Sequence, residues 1–319
     1  MVNEFELIRR YFTTAGRTAG VTLGVGDDAA LLDLPAGMQL VAAVDTIVAG
    51  RHFLASTSAH SIGYRALAVN LSDLAAMGAQ PAWATLALTL PQADEHWLQG
   101  FSAGLLSLAA QHGVALVGGD TTGGPLTVSV QLLGWLPPGS ALRRDGAQAG
   151  DLLVVTGTLG DAGAGLKYAR EGAQADDAHI AALVARFDYP QPRVEFGIAA
   201  RGIASAAMDL SDGLVGDLPK LAAASALQAH VAVERLPLSA ALRAVASETQ
   251  ARDWALGAGE DFELLLAVAP AQLARLQDVA ARLNLRLSII GELTSGAGVR
   301  WTLDGADFAP RGTGFDHFG

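Results

Sequence analysis

The chain has 319 residues, of which 51% are hydrophobic and 17% charged, and its formal net charge is −11 at pH 7. Such a chain can bury a full core in one large domain or two ordinary ones, and its acidity argues against nucleic acid or an anionic membrane surface as the main partner. The absence of cysteine excludes disulfides, thiolate catalysis and cysteine-bound zinc or iron–sulfur clusters. Anionic ligands remain compatible with this charge, because divalent cations can invert the local field.

The N-terminal stretch MVNEFELIRRYF carries Glu4 and Glu6 and lacks the apolar run of a signal peptide. Its spacing predicts a short amphipathic helix. No apolar stretch in the chain reaches the length needed to span a bilayer. We therefore expect a cytoplasmic protein that does not bind membranes.

Strand-like runs and helical stretches are mixed in the first half of the chain. The runs are VTLGVGDDAALLDL, QLVAAVDTIVAG, AWATLALTLP, VALVGGDTT and LTVSVQLLGWLP, and helical spacing covers 60–78 and about 94–112. The second half alternates Ala-rich helices with MDLSDGL, AHVAVERLPL, FELLLAVAP and LRLSIIGEL. This mixture predicts an α/β or α+β protein.

A domain boundary is predicted near the middle of the chain. The stretch LPPGSALRRDGAQAGD (136–151) combines proline, glycine and charge, and the new strand-like run LLVVTG follows it. We therefore divide the chain into domains of 1–139 and 140–319.

Aspartates recur beside glycines or at the ends of apolar runs. They are Asp27, Asp28, Asp45, Asp73, Asp120, Asp209 and Asp212. Taken singly, each suits a turn or a helix cap. Taken together, they indicate strand ends that meet at one sheet edge, where converging carboxylates bind hard cations. Without HExxH or CxxC patterns, oxygen ligands favour magnesium or manganese over zinc, and such magnesium sites usually also hold phosphates.

Asp73 is the unusual member of this set because it lies inside a predicted helix. One face of that helix carries Leu71 and Leu74, and a second apolar face carries Val69 and Ala76. A carboxylate between two apolar faces is costly unless something pairs with it. The helix pattern alone does not identify the partner.

Four other features have two interpretations each. The stretch GDAGAGLK (160–167) departs from a P-loop, since Leu166 separates the glycine from the lysine; it is an anion-binding nest or, as we prefer, a strand-to-helix packing turn. His52 is a ligand contact or a packed or solvated histidine. Arg144 is a phosphate contact or a surface residue. Glu260 is a site residue or a turn carboxylate.

Six stretches together resemble thiamine-monophosphate kinases. They are GVGDDAALL (24–32), VDTIVAGRHF (44–53), YRALAVNLSDLAAMGAQPAWATLALTLP (64–91), VGGDTTGGPL (117–126), DLSDGLVGDL (209–218) and GAGEDFEL (257–264). The resemblance extends to GFDHF (314–318), and the block 64–91 is its most specific part. It implies ATP-dependent phosphorylation of thiamine monophosphate to thiamine diphosphate. It also implies an aminoimidazole ribonucleotide synthetase-like fold of two α/β domains, with a homodimer formed through the N-terminal sheets.

The resemblance implies roles for individual residues. Several magnesium ions would be held by Asp28, Asp45, Asp73, Asp120, Asp209 and Asp212, so a metal ion is the partner expected for Asp73. ATP would contact Gly119, Asp120, Arg144 and Ser211. Thiamine monophosphate would contact His52, Glu260 and Phe315.

Two positions depart from the family pattern. The family often has Ser-Thr where this chain has Ala43 and Val44, so Val44 would ligate a metal only through its backbone carbonyl. Phe315 stands where tyrosine or tryptophan also occurs, and its ring can stack but cannot donate a hydrogen bond.

The implied chemistry needs no protein general base. The second pKa of a phosphate monoester is about 6, so the acceptor oxygen is largely ionised near neutral pH. Magnesium ions would neutralise the two anionic substrates and align them for in-line transfer. Such a mechanism predicts many carboxylates that hold metal ions and no obvious general base for the acceptor.

Two alternatives remain open. One is another ATP-using enzyme of the same superfamily, similar to aminoimidazole ribonucleotide synthetase; the block 64–91 argues against it. The other is a non-catalytic, metal-dependent nucleotide-binding protein, which would lack an acceptor pocket. Glu260 and Phe315 favour the enzyme over this second alternative. The superfamily members that rely on cysteine or selenocysteine are excluded by the composition.

Overall fold

Two compact units make up the chain. The computed structural model describes residues 4–13, 19–172 and 177–315. The first unit comprises Met1–Leu74 and Ala79–Gly139, and the second comprises Ala75–Gly78 and Ser140–Gly319. Both units mix helices and strands, which confirms the predicted α/β fold class. The sequence did not predict that the short segment Ala75–Gly78 belongs to the second unit.

The first unit contains a four-stranded sheet and a separate two-stranded one. Its helices are α1 (Glu4–Tyr11), α2 (Ala59–Ala76) and α3 (Glu95–Gln111), and its strands are β1 (Val21–Leu23), β2 (Leu31–Leu32), β3 (Gln39–Val48), β4 (Gln80–Leu90), β5 (Ala115–Gly123) and β6 (Thr127–Leu136). The larger sheet has the order β3-β6-β4-β5. Strands β4 and β5 are parallel, and the other neighbours are antiparallel.

Helix α2 is buried on both of its apolar faces, as the sequence predicts. Leu71 and Leu74 on one face are fully buried, and Val69 on the other is 6% exposed. A glycine lets α2 approach α3 closely, because a Cβ atom on Gly63 would overlap the carbonyl oxygen of Phe101. The half-buried Asp73 therefore belongs to a helix that is fixed in place by packing on two sides.

Strand β3 has one buried and one exposed face. Ile47 on the inner face is 4% exposed, whereas Leu40 and Val44 on the outer face are 51% and 64% exposed. Because successive side chains of a strand point to opposite faces, the outer face of this edge strand presents an apolar strip.

The second unit is built around a seven-stranded sheet. Its strands are β7 (Leu152–Thr156), β8 (Ala206–Leu210), β9 (Leu227–Ala232), β10 (Glu263–Val268), β11 (Leu287–Ser295), β12 (Gly298–Leu303) and β13 (Ala306–Asp307), and its helices are α4 (Asp161–Arg170), α5 (Ala178–Asp188), α6 (Val194–Ala200), α7 (Leu214–Ala224), α8 (Ala240–Val245), α9 (Glu248–Gly257) and α10 (Leu273–Arg282). The order is β13-β12-β9-β11-β7-β10-β8. Only the β9–β12 pair is parallel among these neighbours within the described residues.

Across the described ranges, every helix is too short or too polar to cross a bilayer.

The glycine-rich stretch 160–167 is a packing turn at the start of α4. Gly160 N–H and Ala162 N–H donate to the Asp261 carboxylate at 2.7 and 3.3 Å. A Cβ atom on Gly163 would overlap Ala258. The donors of this helix N-terminus thus bind the chain's own carboxylate, so the stretch is the packing turn rather than an anion-binding nest.

The Asp261 carboxyl titrates near neutrality. Its pKa is raised from 3.8 to about 7, chiefly by burial and also by the adjacent Asp161 carboxylate, and the Gly160 N–H and Arg186 oppose this rise. Since the folded state holds this proton more tightly than the unfolded state, its stabilising effect is complete below about pH 4 and is lost as the pH rises through about 7.

We therefore predict that Asp261→Asn flattens the pH dependence of stability. Urea unfolding midpoints of the wild type should fall between pH 5 and pH 8, and those of the variant should fall less, because an asparagine side chain does not ionise. The exposed Asp307→Asn is the matched control and should keep the wild-type slope. Parallel profiles for wild type and Asp261→Asn would contradict the assignment.

Candidate active site

A cleft of about 650 Å³ in the first unit brings together three residues predicted to bind ATP or metal. These are Asp28, Gly119 and Asp120. The remaining polar side chains of the lining are those of Asp27, Thr85 and Thr121, Gly26 and Gly118 add backbone, and the apolar lining includes Ile8, Phe12, Val25, Leu86, Leu116 and Val117. This volume lies within the range of about 300–1,000 Å³ usual for small-molecule sites.

Glycine is required on the β5 side of this cleft. Gly119 has φ +149°, and a Cβ atom there would overlap the Leu86 carbonyl oxygen on β4. At Gly118 a Cβ atom would meet nothing within 4 Å, so this part of the strand is open to the cleft. Asp120 follows directly and is exposed. The strand thus leaves room for a ligand beside its backbone.

Asp27 and Asp28 have different local roles. The Asp27 carboxylate accepts a hydrogen bond from Asp28 N–H at 2.8 Å, so it holds the backbone at the next residue. Both residues line the cleft. Asp27 therefore stabilises the turn that presents Asp28, a role that the sequence left undefined.

A second pair of predicted metal ligands, Asp45 and Asp73, lies where α2 meets β3. Asp45 N–H donates to the Asn70 side-chain oxygen at 3.1 Å, and the Asn70 amide donates to the Ala66 carbonyl at 3.0 Å. Asp73 lies one turn beyond Asn70 on α2, so it extends along the side of the helix that holds Asp45. The structure thus assigns Asp45 and Asp73 to one helix–sheet junction.

Asp45 and Asp120 do not lie on neighbouring strands, because their strands form opposite edges of the four-stranded sheet, and the expected convergence of their carboxylates stays a prediction. In the strand register, Asp45 on β3 pairs with Val130 on β6, which pairs with Leu86 on β4, which in turn pairs with Gly119 on β5. Three strand spacings therefore separate β3 from β5. At about 4.8 Å per spacing this is roughly 14 Å. Asp120 follows Gly119 and points to the opposite face. The order β3-β6-β4-β5, which sequence cannot supply, causes the separation.

No ready-made metal cage is present among residues 4–13, 19–172 and 177–315: no three His, Asp or Glu side chains converge on one point. The proposed ligands of the first unit form two separate groups instead, Asp28 with Asp120 and Asp45 with Asp73. The assignment of these residues as metal ligands stays a prediction.

The orientation of β3 argues against Val44 as a metal ligand. Asp45 N–H donates to Asn70, not into the sheet. Alternation in an antiparallel ladder then turns the N–H and C=O groups of Val44 toward Gln131 on β6. The Val44 side chain itself is exposed and apolar.

His52 lies in the turn after β3. Its Nδ1 atom accepts a hydrogen bond from Val48 N–H at 3.0 Å. An accepting Nδ1 carries no proton, so the ring proton of neutral His52 is on Nε2. Nε2–H is therefore the donor group of this half-buried side chain.

In the second unit, four of the predicted site residues lie around the turn that follows β8. Glu260 N–H donates to the Ser211 carbonyl at 2.8 Å, and Phe315 N–H donates to the Asp212 carbonyl at 3.1 Å. Asp209 is the fourth residue of β8 and is 6% exposed. The structure thus brings Ser211, Asp212, Glu260 and Phe315 together beside Asp209. Residues 316–318 of the GFDHF stretch lie outside the described residues.

Asp217 holds this turn from inside the protein. Its buried carboxylate accepts hydrogen bonds from Ser211 N–H at 3.0 Å and Asp212 N–H at 2.9 Å. Lys220 donates to Asp217 at 2.9 Å and to Asp212 at 2.6 Å. Burial raises the pKa of the Asp217 carboxyl, although Lys220 opposes the rise. Burial lowers the pKa of Lys220, and its hydrogen bonds to both carboxylates outweigh that effect and raise it.

The neighbouring segment has a strained backbone. Glu260 and Phe262 adopt left-handed φ values of 66° and 49°, which cost about 1–3 kcal/mol for residues other than glycine. Hydrogen bonds to the turn compensate, since Phe262 N–H donates to the Leu210 carbonyl at 2.9 Å. The strain therefore sits beside the proposed site, where it sets the position of Glu260.

Glu263 anchors the end of this segment. Its carboxylate is fully buried and accepts hydrogen bonds from the Thr156 hydroxyl at 2.7 Å, from Arg186 at 2.9 Å and from Arg193. Removing one partner from such a buried charge network is strongly destabilising. Glu263 thus fixes where β10 starts and, through it, the preceding segment.

Arg144 is not part of the group around Ser211. The Arg144 carbonyl accepts from the Ser225 hydroxyl at 2.7 Å, and Ala207 N–H donates to the Arg143 carbonyl. This segment therefore runs beside the first half of β8, whereas Ser211 follows its last residue. At about 3.3 Å per residue, roughly 13 Å separates Ala207 from Ser211. The predicted contact of Arg144 with ATP remains a prediction.

Sequence reasoning missed several residues of these two regions. The missed residues are Ile8 and Phe12 at the first cleft, and Asp217, Lys220 and Glu263 in the second unit. Asp217 and Lys220 stand three residues apart in the motif DLSDGLVGDLPK, a spacing that places them on one side of a helix and could have identified the pair. Glu263 offered no such signal, since its partners are 70 or more residues away.

The two units and their acidic, glycine-lined regions match a known two-domain class. A family model described as AIR synthase related protein, N-terminal domain matches residues 26–136, and the corresponding C-terminal domain model matches residues 148–304. Thiamine-monophosphate kinases of Salmonella typhimurium and Escherichia coli K12 are both 44% identical to the chain; each match covers 99% of this chain and 98% of the relative. The chain therefore belongs to the thiamine-monophosphate kinase family of AIR synthase related proteins.

Solved structures agree with this assignment. The crystal structure of thiamine-monophosphate kinase from Stenotrophomonas maltophilia K279a has a TM-score of 0.85 and 48% identity, and the match covers 90% of this chain and 92% of that one. AaThiL complexed with AMPPCP and TMP has a TM-score of 0.78 and 30% identity, with 88% and 89% coverage. Hydrogenase maturation protein HypE of E. coli, at 23% identity and a TM-score of 0.78, shares the fold; its match covers 96% of this chain and 95% of that one.

Proposed function

We propose that this chain transfers the terminal phosphoryl group of ATP to thiamine monophosphate and releases thiamine diphosphate. The observation that carries the proposal is the cleft of the first unit, which combines Asp28, Gly119 and Asp120 with an apolar wall. The ligands of AaThiL, TMP and the ATP analogue AMPPCP, correspond to the two substrates of this reaction.

ATP would bind in this cleft. The apolar wall, which includes Ile8, Val25 and Leu116, suits a nucleotide base. The open backbone at Gly118 suits phosphates, because no side chain blocks their approach. The cleft thus has apolar lining for the base and open backbone for the phosphates.

Magnesium is the cation that fits the acidic residues. Asp28 and Asp120 would repel the phosphates of ATP unless a cation lies between them. The proposed donors are all oxygen atoms, which hard divalent cations prefer. In the second unit, the Lys220 ammonium lies against Asp212, so a positive charge is already accommodated at this carboxylate. Bound magnesium would neutralise the reacting phosphates and align them for in-line transfer.

The acceptor would be recognised by its ring system and its phosphate. An aromatic face such as Phe315 suits the cationic thiazolium, and the Glu260 carboxylate suits the cation or the aminopyrimidine amino group. His52 would donate from Nε2 to the acceptor phosphate. The acceptor oxygen is largely ionised at neutral pH, so no residue is assigned as a general base.

A homodimer would form through the first unit. Leu40 and Val44 on the outer face of edge strand β3 are more than half exposed, and Leu31 is 55% exposed. An apolar strip on a sheet edge needs a cover in an aqueous protein, and a second copy provides one. A monomeric mass in sedimentation equilibrium would contradict this assignment.

Asp120→Asn should lower the rate of phosphoryl transfer at least about a hundredfold, because the variant keeps the shape but loses the charge that binds metal. The assay supplies ATP, magnesium and thiamine monophosphate and measures thiamine diphosphate. Chelation should abolish turnover of the wild type, and magnesium should restore it. The exposed α10 residue Asp278 supplies the control Asp278→Asn, which should be fully active. A fully active Asp120→Asn, or a wild type active in excess chelator, would overturn the proposed mechanism.

Phe315→Ala should weaken binding of thiamine monophosphate about tenfold, which corresponds to roughly 1–2 kcal/mol for a cation–π contact. ATP binding should be nearly unchanged, since the nucleotide is assigned to the cleft of the first unit. Titrations of wild type and variant with each ligand measure both affinities. The backbone hydrogen bond from Phe315 to Asp212 does not depend on the side chain, so the turn should persist. Weaker ATP binding with unchanged acceptor binding would show that the two sites are wrongly assigned.

A further inference from the structure

Lys220 bridges two carboxylates beside the proposed site. Its ammonium lies 2.6 Å from Asp212 and 2.9 Å from Asp217. The two acceptors differ in exposure: the Asp217 side chain is 1% exposed, whereas that of Asp212 is 30% exposed. Lys220 thus has one partner inside the protein and one that solvent ions can reach.

Backbone hydrogen bonds engage both the N–H and the carbonyl of Asp212, and its carboxylate is the charged group that it offers to a ligand. Its N–H donates to Asp217, and its carbonyl accepts from Phe315. Ser211 is in the same position, because its N–H also donates to Asp217 and its carbonyl accepts from Glu260. The Asp212 carboxylate is thus the anionic group of this turn that a cation can reach, and Lys220 lies on it.

The choice of lysine at this position is chemically informative. The chain has 19 arginines and only two lysines, Lys167 and Lys220. An ammonium is a compact point charge with three donors on a flexible stem, so it can leave one acceptor and keep another. An arginine fork binds a carboxylate through two parallel hydrogen bonds and is less easily displaced.

Fold stability alone does not account for the Lys220–Asp212 contact. The Lys220 side chain is 45% exposed, and exposed ion pairs contribute little to folding. The contact with the buried Asp217 has the clearer structural value, because an unpaired buried carboxylate is costly. The bond to Asp212 is thus the exchangeable one of the two.

We propose that Lys220 is a positioning residue that acts as an internal counter-ion for Asp212 and is displaced from it when a divalent cation binds. The inference rests on the metal role proposed for Asp212. Asp217 keeps its hold on Lys220 throughout, so the ammonium stays at the site and returns when the metal leaves. A divalent ion competes successfully because it carries twice the charge of the ammonium.

The two lysines make the displacement directly observable. Protein labelled with ¹⁵N only in lysine side chains gives two ammonium signals, and Lys167→Arg identifies which belongs to Lys220. Lys167 pairs with Glu171 on an exposed surface of α4 and serves as the internal control. Magnesium is titrated in the presence of AMPPCP, and calorimetry on the same samples reports metal binding independently.

The expected result is a shift of the Lys220 signal that saturates with the calorimetric binding curve, while the Lys167 signal stays fixed. If Asp212→Asn loses metal binding but the Lys220 signal of the wild type does not move when the metal binds, the inference is overturned and the metal role of Asp212 stands. Metal binding that is unchanged in Asp212→Asn would overturn both.

A pair of variants tests the competition from the other side. Lys220→Met removes the competing charge and should tighten Mn²⁺ binding about two- to fivefold, the range expected for an exposed ion pair, as measured by loss of the free-ion EPR signal. Lys220→Arg keeps the charge and should not tighten it. Equal tightening in both variants, or none in Lys220→Met, would contradict displacement.

Discussion

The contact between the turn after β8 and the strained segment before β10 is the interaction on which the second unit's site depends. Glu260 and Phe262 reach left-handed conformations only because their N–H groups bind the carbonyls of Ser211 and Leu210. The Asp217 carboxylate fixes the other side of the turn, because it accepts hydrogen bonds from the N–H groups of Ser211 and Asp212. With its N–H and carbonyl groups bound in this way, the turn is held in place and presents the Asp212 carboxylate to a ligand.

The first unit follows a different constraint, the order of its strands. Parallel pairing of β4 with β5 needs a glycine at 119 and creates the cleft that Asp28 and Asp120 line. The same order places β3 at the opposite edge, so Asp45 joins Asp73 at the helix–sheet junction instead. The proposed metal ligands of this unit therefore form two groups.

Local sequence patterns were sufficient to predict much of this molecule, but they could not predict which strands pair over long distances. The two apolar faces of the helix around Asp73 and the glycine at 119 are visible in the sequence, because periodicity and backbone strain are local properties. The separation of Asp45 from Asp120 depends on two intervening strands, which no local pattern specifies. Lys220 escaped notice for another reason: an exposed lysine is ordinary until its two acceptors are known.

The most direct test of this account is the amide hydrogen exchange of Ser211 and Asp212 in the ligand-free protein. If the turn is built before ligands bind, both amides should be protected to an extent similar to those of β8 and β10. Asp217→Asn should speed their exchange at least about tenfold, the equivalent of losing one hydrogen bond's net stability, while amides in β6 of the first unit remain unchanged. Rapid exchange of both amides in the wild type would contradict the account, because the turn would then be assembled only by its ligands.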